Sequence, residues 1–222
     1  MIRKILRATA FFLAGFLALS IALVVLYRFV PVAFTPLMAI RTCEQLFDDK
    51  REVRFEKKWV SLKNINPNLV SAVITAEDQK FHEHHGFDIE AIQKSIAYNN
   101  RKNGKRIKGG STISQQTAKN VFLWPNRDWV RKGFEAYFTV LIELIWGKER
   151  IMEVYLNVIE TGDGIYGAEA ASRHFFKKSA SRLNRQEAAS IAAILPSPLR
   201  SNPAKPSIYT KKRIVRILRQ MP

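Results

Sequence analysis

The segment WVRKGFEAYFTVLIELIW, residues 129–146, carries the clearest periodicity in the chain. Phe134, Phe138, Leu141, Ile142 and Ile145 recur every three or four residues, so at 3.6 residues per turn they share one face of a helix. That face predicts a core helix, and Gly147 predicts its end. Upstream, Asn66-Pro67 offers a cap followed by a proline at the first helical position, with Leu69, Val70, Val73 and Ala76 spaced helically up to Glu77. Asp88 caps a further helix with Ile89, Ile92 and Ile96 along one side, which leads into a basic loop, Arg101 to Lys108. Gly109-Gly110 opens a helical segment from about Ser111 to Leu123, closed by Trp124-Pro125. Downstream, Lys148 to Asn157, Ala168 to Phe176, Gln186 to Leu195 and Tyr209 to Gln220 read as helices, and Thr161-Gly162-Asp163-Gly164 as a turn. In the last helix Ile214, Ile217 and Leu218 point one way, with Lys211, Lys212, Arg213, Arg216 and Arg219 largely elsewhere. No segment of more than a few residues alternates with a period of two. The expected fold class is mainly α.

Composition narrows the function. The 222 residues hold 36 Lys and Arg against 19 Asp and Glu, a net charge of +17, with 47% hydrophobic content and a single cysteine. That apolar content excludes a disordered chain, and one cysteine excludes a disulfide scaffold. Ala8 to Tyr27 contains no charge, and 20 helical residues at about 1.5 Å each span roughly 30 Å, the thickness of a bilayer core. Arg3, Lys4 and Arg7 precede the run, which predicts a cytoplasmic N-terminal tail with the remainder exported. The run is long for a signal peptide and is followed by Arg28 instead of a small-x-small cleavage site, so an uncleaved anchor is expected. The domain division is therefore 1–40 for tail, anchor and an apolar collar (Phe29, Val30, Val32, Phe34, Leu37, Met38), and 41–222 for the exported domain. Only four of the cations lie in 1–40, so the exported part stays strongly basic. It suits anionic headgroups or a phosphate-bearing substrate at a membrane, and nucleic acid is not expected.

Three segments carry candidate chemistry. In Glu77 to Gly86, two acids stand where an apolar helix ends. His82, His84 and His85 invite a zinc reading, but His-x-His-His lacks a fourth ligand and Cys43 is far off in sequence. A solvated charged loop is a second reading. The third is that Glu77, set in an apolar wall, has a raised pKa and serves as a general base. In Lys108 to Asn120, Thr112, Gln116, Lys119 and Asn120 fall at i, i+4, i+7 and i+8, a polar stripe behind a glycine pair. Free N–H groups at the helix start and the Lys119 ammonium suit phosphate; an exposed polar face is the plainer alternative. In Arg131-Lys132-Gly133-Phe134-Glu135, Arg131 and Glu135 are placed for an i, i+4 ion pair, with Glu135 beside the apolar face. Separated carboxylates, a phosphate-friendly helix and cations near a membrane suggest glycosyl or phosphoryl transfer.

The same residues carry a family resemblance. Glu77-Asp78-x-x-Phe81-x-x-His84-x-Gly86, Gly109-Gly110-Ser111-Thr112-Ile113-x-Gln115-Gln116-x-x-Lys119-Asn120, Arg131-Lys132-x-x-Glu135, Glu153-x-Tyr155-Leu156-Asn157 with Gly164-x-Tyr166-Gly167, and Glu187-Ala188-Ala189 leading to Leu195-Pro196-Ser197-Pro198 and Asn202-Pro203 resemble, in order, the motifs of the peptidoglycan glycosyltransferases, glycosyltransferase family 51. The match is to the monofunctional biosynthetic type, since no Ser-x-x-Lys or Lys-Thr-Gly of a penicillin-binding transpeptidase occurs here.

The resemblance implies a lysozyme-like, two-lobed helical domain that polymerises lipid II with inversion and releases undecaprenyl pyrophosphate. It implies a bacterial cytoplasmic (inner) membrane location, single-pass, with the catalytic domain on the periplasmic side, and cell-division or elongation proteins as partners. Glu77 would be the base and Glu135 the second essential carboxylate, which orients cations, assists the leaving group or holds a divalent cation (Mg or Mn) on the pyrophosphate. Lys119, Arg131 and Lys132 would receive the pyrophosphate, Thr112, Gln116 and Asn120 would contact the substrate or shape its site, and Asp78, Phe81 and His84 would line the site in support of the base. The chemistry is consistent with a single base: a glycosidase must protonate an alkoxide leaving group, whereas pyrophosphate leaves well once positive charge is placed on it. The rival readings are a lytic lysozyme-like hydrolase and a membrane-tethered basic binding protein without catalysis.

Overall fold

The computed structural model describes residues 1–49, 51–101, 109–126 and 128–222. The basic loop expected at Arg101 to Lys108 falls, past Arg101, outside the described residues. Helix α1, Ile2–Phe29, is the apolar run in continuous helical form. It is followed by α2, Pro36–Leu46, whose N-cap Thr35 accepts a hydrogen bond from the Met38 N–H and whose first position is a proline. Helix α2 runs across residue 40, and its Leu37 and Met38 are buried with Val32, while Phe29, Val30 and Phe34 of the collar remain exposed.

A two-residue strand β1 (Glu56–Lys57) precedes α3 (Pro67–Glu77), which has the expected Asn66 cap and proline start. Next come α4 (Ile89–Arg101), α5 (Ile113–Phe122) and α6 (Trp129–Ile145). Helix α6 is the apolar-faced helix: Phe138 and Ile142 are buried, Gly147 sits at φ +75 just past its end, and α7 (Gly147–Val158) departs from there. A hairpin of β2 (Glu160–Gly162) and β3 (Ile165–Tyr166) leads into α8 (Gly167–Phe176), then α9 (Arg185–Ile194) and α10 (Ile208–Gln220). The sheet order is β1-β3-β2, with β1 parallel and β2 antiparallel to β3. Strands of two or three residues have no period to detect, which is why they were not legible as strands. The turn expected at 161–164 is the bend of that hairpin, and Gly164 at φ +70 is obligatory there, because a Cβ would lie 2.1 Å from the Arg54 carbonyl oxygen.

Helix α7 is the axis of the core. Ile151, Met152, Val154, Tyr155, Leu156 and Val158 are all buried, and α5, α6 and α8 pack around it. Helix α3 lies against α9, and α10 closes over both. At the α5–α6 contact Phe122 stacks on Phe138 with ring centroids 4.4 Å apart. Helix α4 departs from expectation: Ile89 and Ile96 are exposed, so its apolar side is not core. Ile92 and Ile96 instead face a cavity shared with the start of α6.

Helix α1 is not an isolated appendage. Phe16 meets Phe134 edge-on at 5.6 Å, the Ser20 and Tyr137 hydroxyls are 2.7 Å apart, and Trp146 Nε1–H donates to the Val24 carbonyl at 2.7 Å. At its C-terminus the Arg150 guanidinium donates to the Tyr27 carbonyl (2.7 Å) and the Val30 carbonyl (2.5 Å), groups a helix end leaves unpaired. The helix is long and apolar enough to cross a membrane and fits a single-pass anchor.

Candidate active site

Helix α3 stops at Glu77 because Asp78 turns out of helical geometry, at φ −161. This leaves the Glu77 side chain, 12% exposed, at the rim of a cavity of about 460 Å³. Its Oε2 accepts from Gln116 Nε2–H at 3.1 Å, and its Oε1 accepts from Arg213 at 2.9 Å. Tyr155 donates its hydroxyl to Gln116 Oε1 at 3.3 Å, which fixes the amide so that nitrogen faces the carboxylate. Burial pushes the Glu77 carboxyl above its ordinary value, the neighbouring Asp78 adds to this, and Gln116, Arg213 and Lys119 hold it down without cancelling the rise. Burial likewise pushes the Tyr155 hydroxyl well up, so it remains a donor at neutral pH. The expectation of a glutamate with a raised pKa in a packed wall is met.

Asp78 faces the other way. Its carboxylate accepts the Ile113 N–H at 2.9 Å and lies 3.0 Å from His84 Nε2, while His84 Nδ1 accepts the Gly86 N–H at 3.1 Å. Because Nδ1 is an acceptor, the ring proton is on Nε2 and points at Asp78. Thr112 caps α5 in a capping box with Gln115 and donates its hydroxyl to the Gly86 carbonyl at 2.6 Å. Asp78, His84, Gly86 and Thr112 thus tie the end of α3 to the start of α5. Phe81 is fully buried, under the Lys148 ammonium at 4.8 Å, and cannot touch a substrate; its place among the lining residues is corrected to packing that supports the Glu77 loop. The helix start is corrected too. The Ile113 and Gln115 N–H groups expected to be free for phosphate are bonded to Asp78 and Thr112.

The cations gather on the far side of the Gly109–Ser111 segment. Arg131 and Glu135, with side chains 9% and 4% exposed, pair at 2.6 Å, and Lys132 pairs with the other Glu135 oxygen while lying 3.4 Å from Ser111 Oγ. The i, i+4 pair is therefore buried, not a surface pair. Lys119, Arg131, Lys132 and Glu135 line one cavity of about 770 Å³ with Ser111, and Gly109, Gly110, Ser111 and Ser95 border both it and the Glu77 cavity. Asn120, almost fully buried, reaches a smaller polar space with Gln116, Lys119 and Glu160. Glu77 and Gln116 are therefore in contact, Lys119 sits beside the cation group, and Thr112 and Asp78 border the Glu77 cavity from behind.

Among the described residues no three His, Cys, Asp or Glu side chains converge as a metal site, and His82 and His85 do not join His84 in one. Both oxygens of Glu135 are engaged by cations, so this donor set does not fit a divalent ion without displacing Arg131 and Lys132. Arg213 is the residue that sequence reasoning missed. The helical period sets it among the cations largely away from the core, yet it reaches a carboxylate 136 positions upstream, and nothing local to α10 signals that. The Glu153 motif divides into roles: Tyr155 orients Gln116, whereas Asn157 holds the Val60 N–H and C=O at 2.9 and 2.8 Å. The arrangement offers one base with a raised pKa beside a cation cluster, suited to removing a proton at one point while stabilising an anion nearby.

Comparison with known proteins agrees with this chemistry. Residues 44–222 match the family model described as Transglycosylase. The biosynthetic peptidoglycan transglycosylase of Bdellovibrio bacteriovorus is 56% identical over 206 residues, covering 93% of this chain and 81% of the relative. That of Bacteroides thetaiotaomicron is 54% identical over 220 residues, 99% and 88% of the two chains, and that of Caulobacter vibrioides 53% over 219 residues, 97% and 91%. The mainly α, lysozyme-like domain and the enzyme class expected from the motifs are those of this family. A family match over residues 44–222, together with relatives more than half identical over nearly the whole chain, means that this chain belongs to the transglycosylase family and is a glycosyltransferase.

Proposed function

We propose that the protein is a membrane-anchored peptidoglycan glycosyltransferase that polymerises lipid II. The geometry that carries this reading is Glu77, with only 12% of its side chain exposed, at the rim of one cavity while Lys119, Arg131 and Lys132 line the next. Glu77 removes the proton from the acceptor GlcNAc 4-hydroxyl as that oxygen bonds to C1 of the donor MurNAc. The C1–O bond to pyrophosphate breaks on the opposite face, inverting the anomeric centre. The electron pair leaves on undecaprenyl pyrophosphate, whose charge meets Lys119, Arg131 and Lys132. Glu135 holds Arg131 and Lys132 in place, so its part is orientation of the cations. Gln116 and Tyr155 aim the base; Asp78, His84 and Thr112 fix the loop that carries it.

In this reading α1 spans the bacterial cytoplasmic membrane with Arg3, Lys4 and Arg7 inside and residues 41–222 outside, where a lipid-linked donor lies. Incubating the detergent-solubilised protein with labelled lipid II tests the proposal. Polymer is expected from the wild type, with at least ~10²-fold less from Glu77→Gln, the lower end of what a positioned base contributes. Fragments released from mature peptidoglycan, with no polymer from lipid II, would refute the transferase in favour of a hydrolase.

A further inference from the structure

Helix α6 carries a second enclosed carboxylate that the proposed reaction leaves unused. Glu143 stands in the last turn of the helix, where the macrodipole disfavours a negative charge, and its side chain is only 8% exposed. An enclosed ion pair gains little stability over a well-packed apolar pair of the same volume, so stability alone does not account for an acid at this position. Its contacts do. The Oε1 atom accepts both from Lys148 Nζ, at 2.7 Å, and from the hydroxyl of Ser114, the fully buried second residue of α5. Gly86 packs directly on the same stretch of α6: a Cβ there would lie 2.8 Å from Thr139 Cγ2 and 3.1 Å from Glu143 Cγ. The Lys148 ammonium is also 4.8 Å from the centre of the Phe81 ring. One pair at the α6–α7 corner thus grips the loop after Glu77 at two points, Phe81 and Gly86, and the first turn of α5 at a third.

These are the parts that must stay in register for the reaction. Helix α5 carries Gln116, which bonds Glu77, while α6 carries Arg131, Lys132 and Glu135. Glu135 and Glu143 are eight residues apart on one helix, about 12 Å along its axis. We propose that Glu143, with Lys148, is a positioning pair that sets the base against the cation cluster, by fixing the first turn of α5 on α6 and acting through Ser114 and Gln116. The proposal rests on Glu77 as the base. Its effect falls on geometry at the reacting atoms, where a displacement of about 1 Å can cost about 10²-fold in rate.

Polymerisation of labelled lipid II against substrate concentration, well below the thermal midpoint and scaled to folded protein, tests the pair. Glu143→Ala should lower kcat about 10- to 100-fold and leave KM within about twofold. Glu143→Gln should recover most of that loss, because both donors use the same oxygen and an amide oxygen can accept from both. Gln116→Ala and the double variant complete a cycle on kcat: adding Glu143→Ala to Gln116→Ala should cost less than about threefold, since both changes release the same contact with Glu77. Ser114→Ala, which deletes one oxygen, keeps the proposal testable if Glu143→Ala does not fold, and should lower kcat at least about threefold. Wild-type kcat in Glu143→Ala or, where that does not fold, in Ser114→Ala, losses that vanish on scaling to folded protein, or an additive cycle would overturn the positioning role. Failure of the base assignment shows differently: Glu77→Gln would then keep the wild-type rate, whereas failure of the positioning pair leaves Glu77→Gln inactive and Glu143→Ala active.

Discussion

Replacing Asp78 by asparagine changes one oxygen to nitrogen, and the hydrogen bonding around it makes that costly. The carboxylate accepts from two donors, the Ile113 N–H and His84 Nε2–H. Asparagine has a single acceptor oxygen, so its amide nitrogen must face one of those donors. The His84 ring cannot relieve the clash by moving its proton, because Nδ1 is already engaged as the acceptor for the Gly86 N–H at 3.1 Å. One buried donor is therefore orphaned, at about 1–3 kcal/mol. The start of α5 also loses a negative charge, about 0.3–1 kcal/mol. A loss near 2–3 kcal/mol corresponds to a fall of about 4–12 °C in thermal midpoint for a chain of this size. Thermal unfolding of the solubilised protein followed by tryptophan fluorescence would measure it, with His84→Ala and the double variant completing a cycle. The two changes should be less than additive by about 1 kcal/mol or more, since they remove the same contact. An Asp78→Asn variant as stable as the wild type, or strict additivity, would refute the assigned proton position and the role of Asp78 as the tie between α3 and α5.

Other outcomes follow from single observations. Because burial raises the Glu77 carboxyl, kcat/KM should fall on the acid side at a pH above the ordinary carboxylate value, and Arg213→Gln, which removes a cation that holds it down, should move that limb to still higher pH; a limb that stays or moves down contradicts the assignment. The same raised value makes this group's contribution to stability full below the unfolded-state pKa and lost as pH rises through the folded one, so Glu77→Gln should flatten that decline in a pH series of unfolding measurements. Gly164→Ala would set a Cβ 2.1 Å from the Arg54 carbonyl at a positive φ, and should cost more than about 2 kcal/mol or prevent folding, read from expression and thermal midpoint. Arg150→Ala strips donors from the Tyr27 and Val30 carbonyls, and should speed limited proteolysis between residues 29 and 36 while the domain stays resistant; an unchanged cleavage rate would show that the other α1 contacts suffice.

Helix positions were legible in the sequence wherever local chemistry and burial agree. Asn66-Pro67 starts α3, Gly147 follows α6, and the inward faces of α6 and α10 repeat at the helical period, because a helix that buries one face must space its apolar residues accordingly. The candidate base was legible for the same reason: Glu77 ends an apolar helix, so burial there follows from the run before it. Helix α4 was misread because its exposed isoleucines obey the same spacing as a core face, and periodicity does not say what covers the stripe. The short strands were invisible because two or three residues carry no period.

What the sequence by itself determined was therefore local: which segments are helical, which run is long enough to span a bilayer, and the ordered motifs that carry the family. Only the tertiary structure decided who meets whom. It turned the Ile113 amide at the start of α5 toward Asp78, placed Phe81 in the interior, buried the Arg131–Glu135 pair and brought Arg213 of α10 onto Glu77. Each of these depends on packing between segments far apart in the chain. A hydrogen bond between side chains 136 residues apart leaves no trace in the spacing of either one's neighbours, since spacing records only the face a segment turns inward.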